Sequence, residues 1–270
     1  MTSFKKYAIV ACRQPKEVIM KLKVIFSLLF CAAAFCVFVM IMGIIFMDLI
    51  LFPAIHTDKK VGNITLKSGK AELDAVYNKV PNARGVVLYS HGNHEILSQI
   101  MPWINEFKEN NYSILAYDYA GYGGSSGRAG TAQAKSDIEA AYKFLTETEK
   151  IPARNIIVAG YSVGSGPSTY LACKYPVRKL VMIAPFASAS EALLPFDVPF
   201  NRFRNAELLS GKKVNLLLFH GTSDTIVPYR NSLKIYEKSA GLKTLKTYKG
   251  ADHKNIFTRF KKDFWQELPL

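Results

Sequence analysis

The chain has 270 residues, 49% of them hydrophobic and 21% charged, with a formal net charge of +14. That length suits one α/β domain with a sizeable core, and the apolar content excludes a disordered chain. The charge does not argue for nucleic acid, because six of the 35 basic residues fall in the first 23 positions and the others are scattered.

Residues 1–23 form a basic N-terminal segment in which Lys5, Lys6, Arg13, Lys16, Lys21 and Lys23 face one acid, Glu17. Residues 24–47 then carry no charge at all. As a helix they would measure about 36 Å, enough to cross a hydrocarbon core of roughly 30 Å. After Asp48 the apolar pattern resumes over 49–52 and stops at Pro53. A cleaved signal peptide has an apolar region of only about 7–15 residues followed by a small-x-small site, and this chain lacks both features. Cys31 and Cys36 each follow a phenylalanine, Phe30 and Phe35, where lipid attachment wants a small residue. The reading is an uncleaved signal-anchor, 24–52, with membrane lipid as its partner. Lysine and arginine are more abundant before the span than in the residues directly after it, where Lys59, Lys60, Lys67 and Lys70 are the first to come. The expected topology is N-terminus in the cytoplasm and catalytic domain outside it. Cys12, Cys31 and Cys36 lie where palmitoylation occurs in eukaryotes, although helix packing is the commoner role. With Cys173 they are the four cysteines, and no C-x-x-C metal pair exists.

From residue 53 to 270 short β-branched runs alternate with helical patterns, as in a mostly parallel sheet covered on both faces. Residues 64–67 and 72–78 read as a hairpin about Gly69. A strand at 85–90 leads into His91-Gly92-Asn93-His94. A helix at 98–110 and a strand at 113–118 precede the glycine-rich 121–127, which lacks the spacing of a phosphate loop and reads as a tight turn. A helix at 132–148 is followed by a strand at 155–160, a helix at 164–174 and a strand at 179–184. Residues 186–213, with Pro195, Pro199, Phe196, Phe200 and Phe203, have no period and read as a small cap over the active site. Strands at 214–220 and 245–248 and helices at 232–239 and 256–266 complete the domain.

Gly160-Tyr161-Ser162-Val163-Gly164 is G-x-S-x-G between an apolar strand and a helix, the context a nucleophilic serine needs. Ser165 and Ser168 fall inside the helix and read as packing residues. A serine hydroxyl requires a base, and the base requires an orienting acid. In the chain order Ser, acid, His these are Asp224, just past a strand, and His253, between the last strand and the last helix. Asp252 adjoins the histidine and reads as a helix cap. The backbone N–H groups of Val163 and Asn93 are the expected oxyanion donors. His91 is expected to brace that loop, His94 to edge the pocket, and His220 to be structural; His56 has no evident chemistry. No metal or cofactor is implied.

YSHGN at 89–93, DYAGYGGSSG at 118–127, GYSVGSG at 160–166, HGTSDTIVP at 220–228 and GADHKNI at 250–256 occur in the order found in α/β-hydrolases. Over residues 60–260 the chain resembles the membrane-anchored abhydrolase-domain-containing group, which includes lipid-directed hydrolases and protein depalmitoylases. The resemblance implies an α/β-hydrolase fold with Ser162 as nucleophile, Asp224 as acid and His253 as base. Where those depalmitoylases carry an N-terminal cysteine cluster, this chain has an apolar span. The expected function is a serine hydrolase of carboxylic esters or thioesters, with lipid-derived acyl groups. The rival enzymatic reading is a serine peptidase on short peptides with the same triad; a non-catalytic scaffold is the third. Oligomeric state is left open.

Overall fold

The computed structural model describes residues 15–57, 59–194, 197–198 and 201–269. The readings made on Lys5, Lys6, Cys12 and Arg13, and on Pro195, Phe196, Pro199 and Phe200, lie outside the described residues. The chain divides into two compact units, Met1–Ile44 and Ile45–Leu270.

Helix α1, Pro15–Leu51, opens on a proline, whose missing N–H costs nothing at the first helical position. It ends just before Pro53, which cannot extend a helix. Within its Val18–Leu51 stretch the most apolar 18 residues have a mean hydropathy of 2.9, and this is the one helix among the described residues long and apolar enough to cross a bilayer. Phe26, Phe30 and Phe35 stand exposed on it, and a helix that is apolar all round suits lipid rather than water.

The second unit takes in the end of α1, from Ile45 to Leu51. Met47, Leu51 and Phe52 are buried in the domain core. An eight-stranded sheet organises this unit. Its strands are β1 (Ile64–Ser68), β2 (Ala71–Asn78), β3 (Val86–Ser90), β4 (Ser113–Tyr117), β5 (Ile156–Tyr161), β6 (Lys179–Ile183), β7 (Leu216–Gly221) and β8 (Lys243–Tyr248). Their spatial order is β1-β2-β4-β3-β5-β6-β7-β8. Only the β1–β2 and β2–β4 pairings are antiparallel; from β4 to β8 every pairing is parallel. This is the α/β-hydrolase fold expected from the sequence.

The two-residue period of a strand sends alternate side chains to opposite faces. Leu88 and Val158 therefore join one core, and Val87, Tyr89, Ile157 and Ala159 the other. The first core is covered by α3 (Thr131–Lys143), α4 (Ser165–Lys174) and α7 (Arg230–Lys238), the second by α2 (Leu97–Glu109) and α8 (Ile256–Glu267). The helix expected to run to 148 ends at Lys143 and continues as a wider turn, Phe144–Thr148. Between β6 and β7 lie two short helices, α5 (Ala189–Leu193) and α6 (Asn205–Leu209).

Phe107 is fully buried between α2 and α8, with ring centroids 5.1 Å from Trp103, 5.9 Å from Phe264 and 5.0 Å from Trp265. Phe107→Ala is expected to destabilise the domain by about 3–5 kcal/mol, read by denaturant unfolding in detergent, with Phe107→Leu costing clearly less.

Candidate active site

Ser162 follows β5 directly and opens the 3₁₀ turn Ser162–Gly164 that feeds α4. Its φ is +50°, a left-handed conformation that side chains other than glycine avoid. The tight approach of strand and helix explains the glycines on either side. A Cβ on Gly160 would lie 2.3 Å from the Gly164 carbonyl oxygen, and one on Gly164 would lie 2.1 Å from the Ser90 carbonyl oxygen on β3. Ser165 and Ser168 turn inward instead, donating to the carbonyls of Ser162 (2.7 Å) and Ala159 (3.2 Å).

The structure brings the three expected residues together. Ser162 Oγ lies 3.0 Å from His253 Nε2, and His253 Nδ1 lies 2.7 Å from Asp224 Oδ2. All three are buried. The Asp224 carboxylate, in the loop after β7, is saturated with donors. Its Oδ1 accepts the N–H groups of Ile226 (3.0 Å) and Val227 (2.8 Å). Its Oδ2 accepts from His253 and, at 3.2 Å, from His220 Nε2. Burial alone would raise its pKa, but the hydrogen bonds from His220 and His253, the charge of His253 and the Val227 N–H outweigh it and hold the carboxyl well below the usual 3.8.

His220 is fully buried and goes beyond the structural role expected of it. Its Nε2 also lies 2.9 Å from the Val227 carbonyl oxygen, which can only accept, so Nε2 carries the proton. Nδ1 then accepts from the Ser232 hydroxyl at 2.6 Å. The clue in the sequence was its place four residues before Asp224, at the end of the strand that leads into that loop. Asp252 braces the turn before α8 and is not its cap: its carboxylate accepts the N–H groups of Lys254 and Asn255, and Asn255 holds the N-cap position.

Val163 is the second residue of its turn, where the backbone N–H has no partner within the helix. The 91–94 loop is held from several sides. His91 is buried, with Nδ1 2.7 Å from the Gly92 carbonyl oxygen and its ring against Tyr119. Tyr119 donates to the His91 carbonyl (2.8 Å) and Tyr122 to the Asn93 carbonyl (3.0 Å). Glu95, not singled out from the sequence, accepts the Gly92 N–H at 2.7 Å. Exposed His94 pairs with the Asn93 side chain at 2.8 Å. The glycine-rich 121–127 stretch is a turn tied to β2, with Ser125 and Ser126 accepting the N–H groups of Asp74 and Glu72.

A pocket of about 610 Å³ opens on Ser162 and His253, walled by Asn93, His94, Glu95, Tyr161, Ile226 and Phe257 among others. None of the described residues of 186–213 lines it, and the cap expected over this segment falls in part on residues 195–196 and 199–200, outside the described ones. Phe186, Phe203, Ala206 and Leu209 are buried in the domain core instead. Phe203 lies against Gly166 of α4 so closely that a Cβ there would sit 2.4 Å from its ring. The Ala187 N–H donates to Asn231 on α7.

The depressed Asp224 pKa fixes a sign. Its contribution to stability is present above 3.8 and is lost as pH falls through the lower folded value. Asp224→Asn is therefore expected to flatten the loss of thermal stability between pH about 5 and about 3, while lowering kcat by about 10⁴-fold. Thermal melts and kinetics on the purified chain check both.

Residues 81–212 match the family described as Serine aminopeptidase, S33, a stretch that holds Ser162 but ends before Asp224 and His253. The chain is 31% identical over 180 residues to Alpha/beta hydrolase domain-containing protein 17B of Homo sapiens, covering 65% of this chain and 62% of that protein. It spans less than two thirds of the length of the curated relatives it matches. Among solved structures it is similar to the Pyrococcus furiosus esterase, with a TM-score of 0.63 at 18% identity over 76% of this chain and 89% of the other. Est1E from Butyrivibrio proteoclasticus, solved with ferulic acid, gives a TM-score of 0.62 at 16% identity over 77% and 100%. At such identities the structural likeness concerns the fold. Fold, family match and relatives point the same way: the chain has the α/β-hydrolase fold and is similar to abhydrolase-domain-containing proteins.

Proposed function

We propose that this chain is a serine hydrolase that cleaves carboxylic esters or thioesters through an acyl-enzyme on Ser162. The observation that carries the reading is the continuous relay from Ser162 Oγ to His253 Nε2 (3.0 Å) and from His253 Nδ1 to Asp224 Oδ2 (2.7 Å). His253 takes the serine proton as Oγ attacks the acyl carbonyl. Asp224 holds the ring with Nδ1 protonated and stabilises the imidazolium that forms. The N–H groups of Val163 and Asn93 receive the developing oxyanion. His253 then protonates the leaving alcohol or thiol. Water enters, gives its proton to His253 and attacks the acyl-enzyme, and the acid leaves as Ser162 regains its proton.

The acyl group is lipid-derived in this reading. Support comes from the apolar helix α1, long and apolar enough to cross a bilayer, and from Tyr161, Ile226 and Phe257 in the pocket wall. In this reading the N-terminus lies in the cytoplasm and the catalytic domain on the other side, and the excess of basic residues before the span supports it. A second reading, a serine peptidase on short peptides, draws on the aminopeptidase description of the matching family and on the Glu95 carboxylate at the pocket, which suits a substrate amine.

A fluorophosphonate probe is expected to label the wild-type chain and to leave Ser162→Ala unlabelled, with turnover lower by about 10⁴-fold or more. Labelling that survives the substitution sinks the assignment. Matched p-nitrophenyl ester, thioester and peptide series, run side by side, separate the two readings: faster turnover of peptides than of every ester would overturn the first.

A further inference from the structure

The residues that carry α1 into the domain run directly beneath the loop expected to supply the second oxyanion donor. Asp48 fixes the last turn of α1: its carbonyl accepts the Phe52 N–H (2.9 Å), and its carboxylate accepts the Thr131 hydroxyl at the start of α3 and pairs with Arg202 Nε at 3.4 Å. Phe52 is buried, its ring edge-on to Tyr119 at 5.5 Å and to Tyr122 at 6.5 Å. Farther on, the Gly123 N–H donates to the Ile55 carbonyl (2.7 Å) and the Thr57 N–H to the Gly123 carbonyl (2.9 Å). The segment is thus docked along the turn that bears both tyrosines.

Those tyrosines act on the loop from below. Tyr119 donates to the carbonyl of His91 and Tyr122 to that of Asn93. These two carbonyls belong to the peptides on either side of the one that carries the Asn93 N–H. The middle peptide is held as well, its Gly92 carbonyl lying 2.7 Å from His91 Nδ1 and accepting the Glu95 N–H at 3.3 Å, so the plane that carries the Asn93 N–H is set on all sides. The Asn93 side chain adds a direct link, donating to the Ile50 carbonyl of the last turn of α1 at 3.4 Å. Burial raises the pKa of both phenols, so both stay protonated as donors.

We infer that residues 48–57 are a positioning element of the active site, in which Phe52, acting through Tyr119 and Tyr122, aims the Asn93 N–H at the oxyanion. The inference rests on the hydrolase reading above. The segment that joins the apolar helix to the domain then serves catalysis as well as attachment. Misaligning a donor weakens transition-state binding and leaves ground-state binding nearly untouched, so the loss should fall on kcat.

The test uses the full chain in detergent micelles with a p-nitrophenyl ester, rates being expressed per Ser162 site titrated with fluorophosphonate. Phe52→Ala and Tyr122→Phe are expected to lower kcat by about 10-fold with KM within about twofold, and Phe52→Leu to restore most of the loss. Leu145→Ala, a buried position at the end of the α3 region, should lower Tm as a core truncation does and keep kcat within about twofold. If Phe52→Ala and Tyr122→Phe both keep wild-type kcat per titrated site, whatever their Tm, the inference is overturned; Tyr122→Phe removes one oxygen and keeps the test open should Phe52→Ala fail to fold. A wild-type chain that neither turns over nor labels overturns the hydrolase reading and this inference with it.

Discussion

The sharp bend between β5 and α4 is the constraint on which the rest of the site depends. It holds Ser162 at a φ of +50° and presses α4 against β3 at Gly164. A backbone that strained persists only when its surroundings over-determine it. Here the surroundings are the two parallel pairings of β5, with β3 and β6, and the inward hydrogen bonds of Ser165 and Ser168. Because β5 is central, the bend also sets where everything else must come. The loops after β3, β7 and β8 all leave the carboxyl edge of the sheet, where open α/β sheets gather their functional groups.

Electrostatics then separates the partners. The Asp224 carboxylate is enclosed, yet four donors reach its two oxygens, so the folded chain keeps it ionised. An ionised, immobile carboxylate is what a histidine needs if it is to hold one tautomer and carry a transient charge. His220 strengthens that arrangement from the far side and is itself held by Val227 and Ser232. The acid is thus fixed by its own loop and by the helix after it.

Much of this was legible in the sequence because it is local. The strand before G-x-S-x-G and the HGN loop are local patterns, the triad, though 91 positions long from Ser162 to His253, shows in its order after successive strands, and the strands read well because their buried runs are short and continuous. What escaped is what only the third dimension decides. Met47, Leu51 and Phe52 are apolar whether they face lipid or a protein core, so composition alone does not place them in the domain core, and the same holds for Phe186 and Phe203. Tyr119, Tyr122 and His220 fall within the quoted motifs, but no pattern states what they bond; the tyrosines' partners lie far along the chain, as in the 28 positions between Tyr119 and His91, while Glu95 and His220 bond near neighbours.

The central claim is that Ser162 forms a covalent acyl intermediate. Rapid mixing of the full chain with a p-nitrophenyl ester, followed by quenching and peptide mass analysis, reads it most directly. The account predicts a burst of about one p-nitrophenol per active site and the acyl mass on the peptide that contains Ser162. Steady turnover from the first instant with no acylated peptide, or an acyl group on another residue, would contradict it.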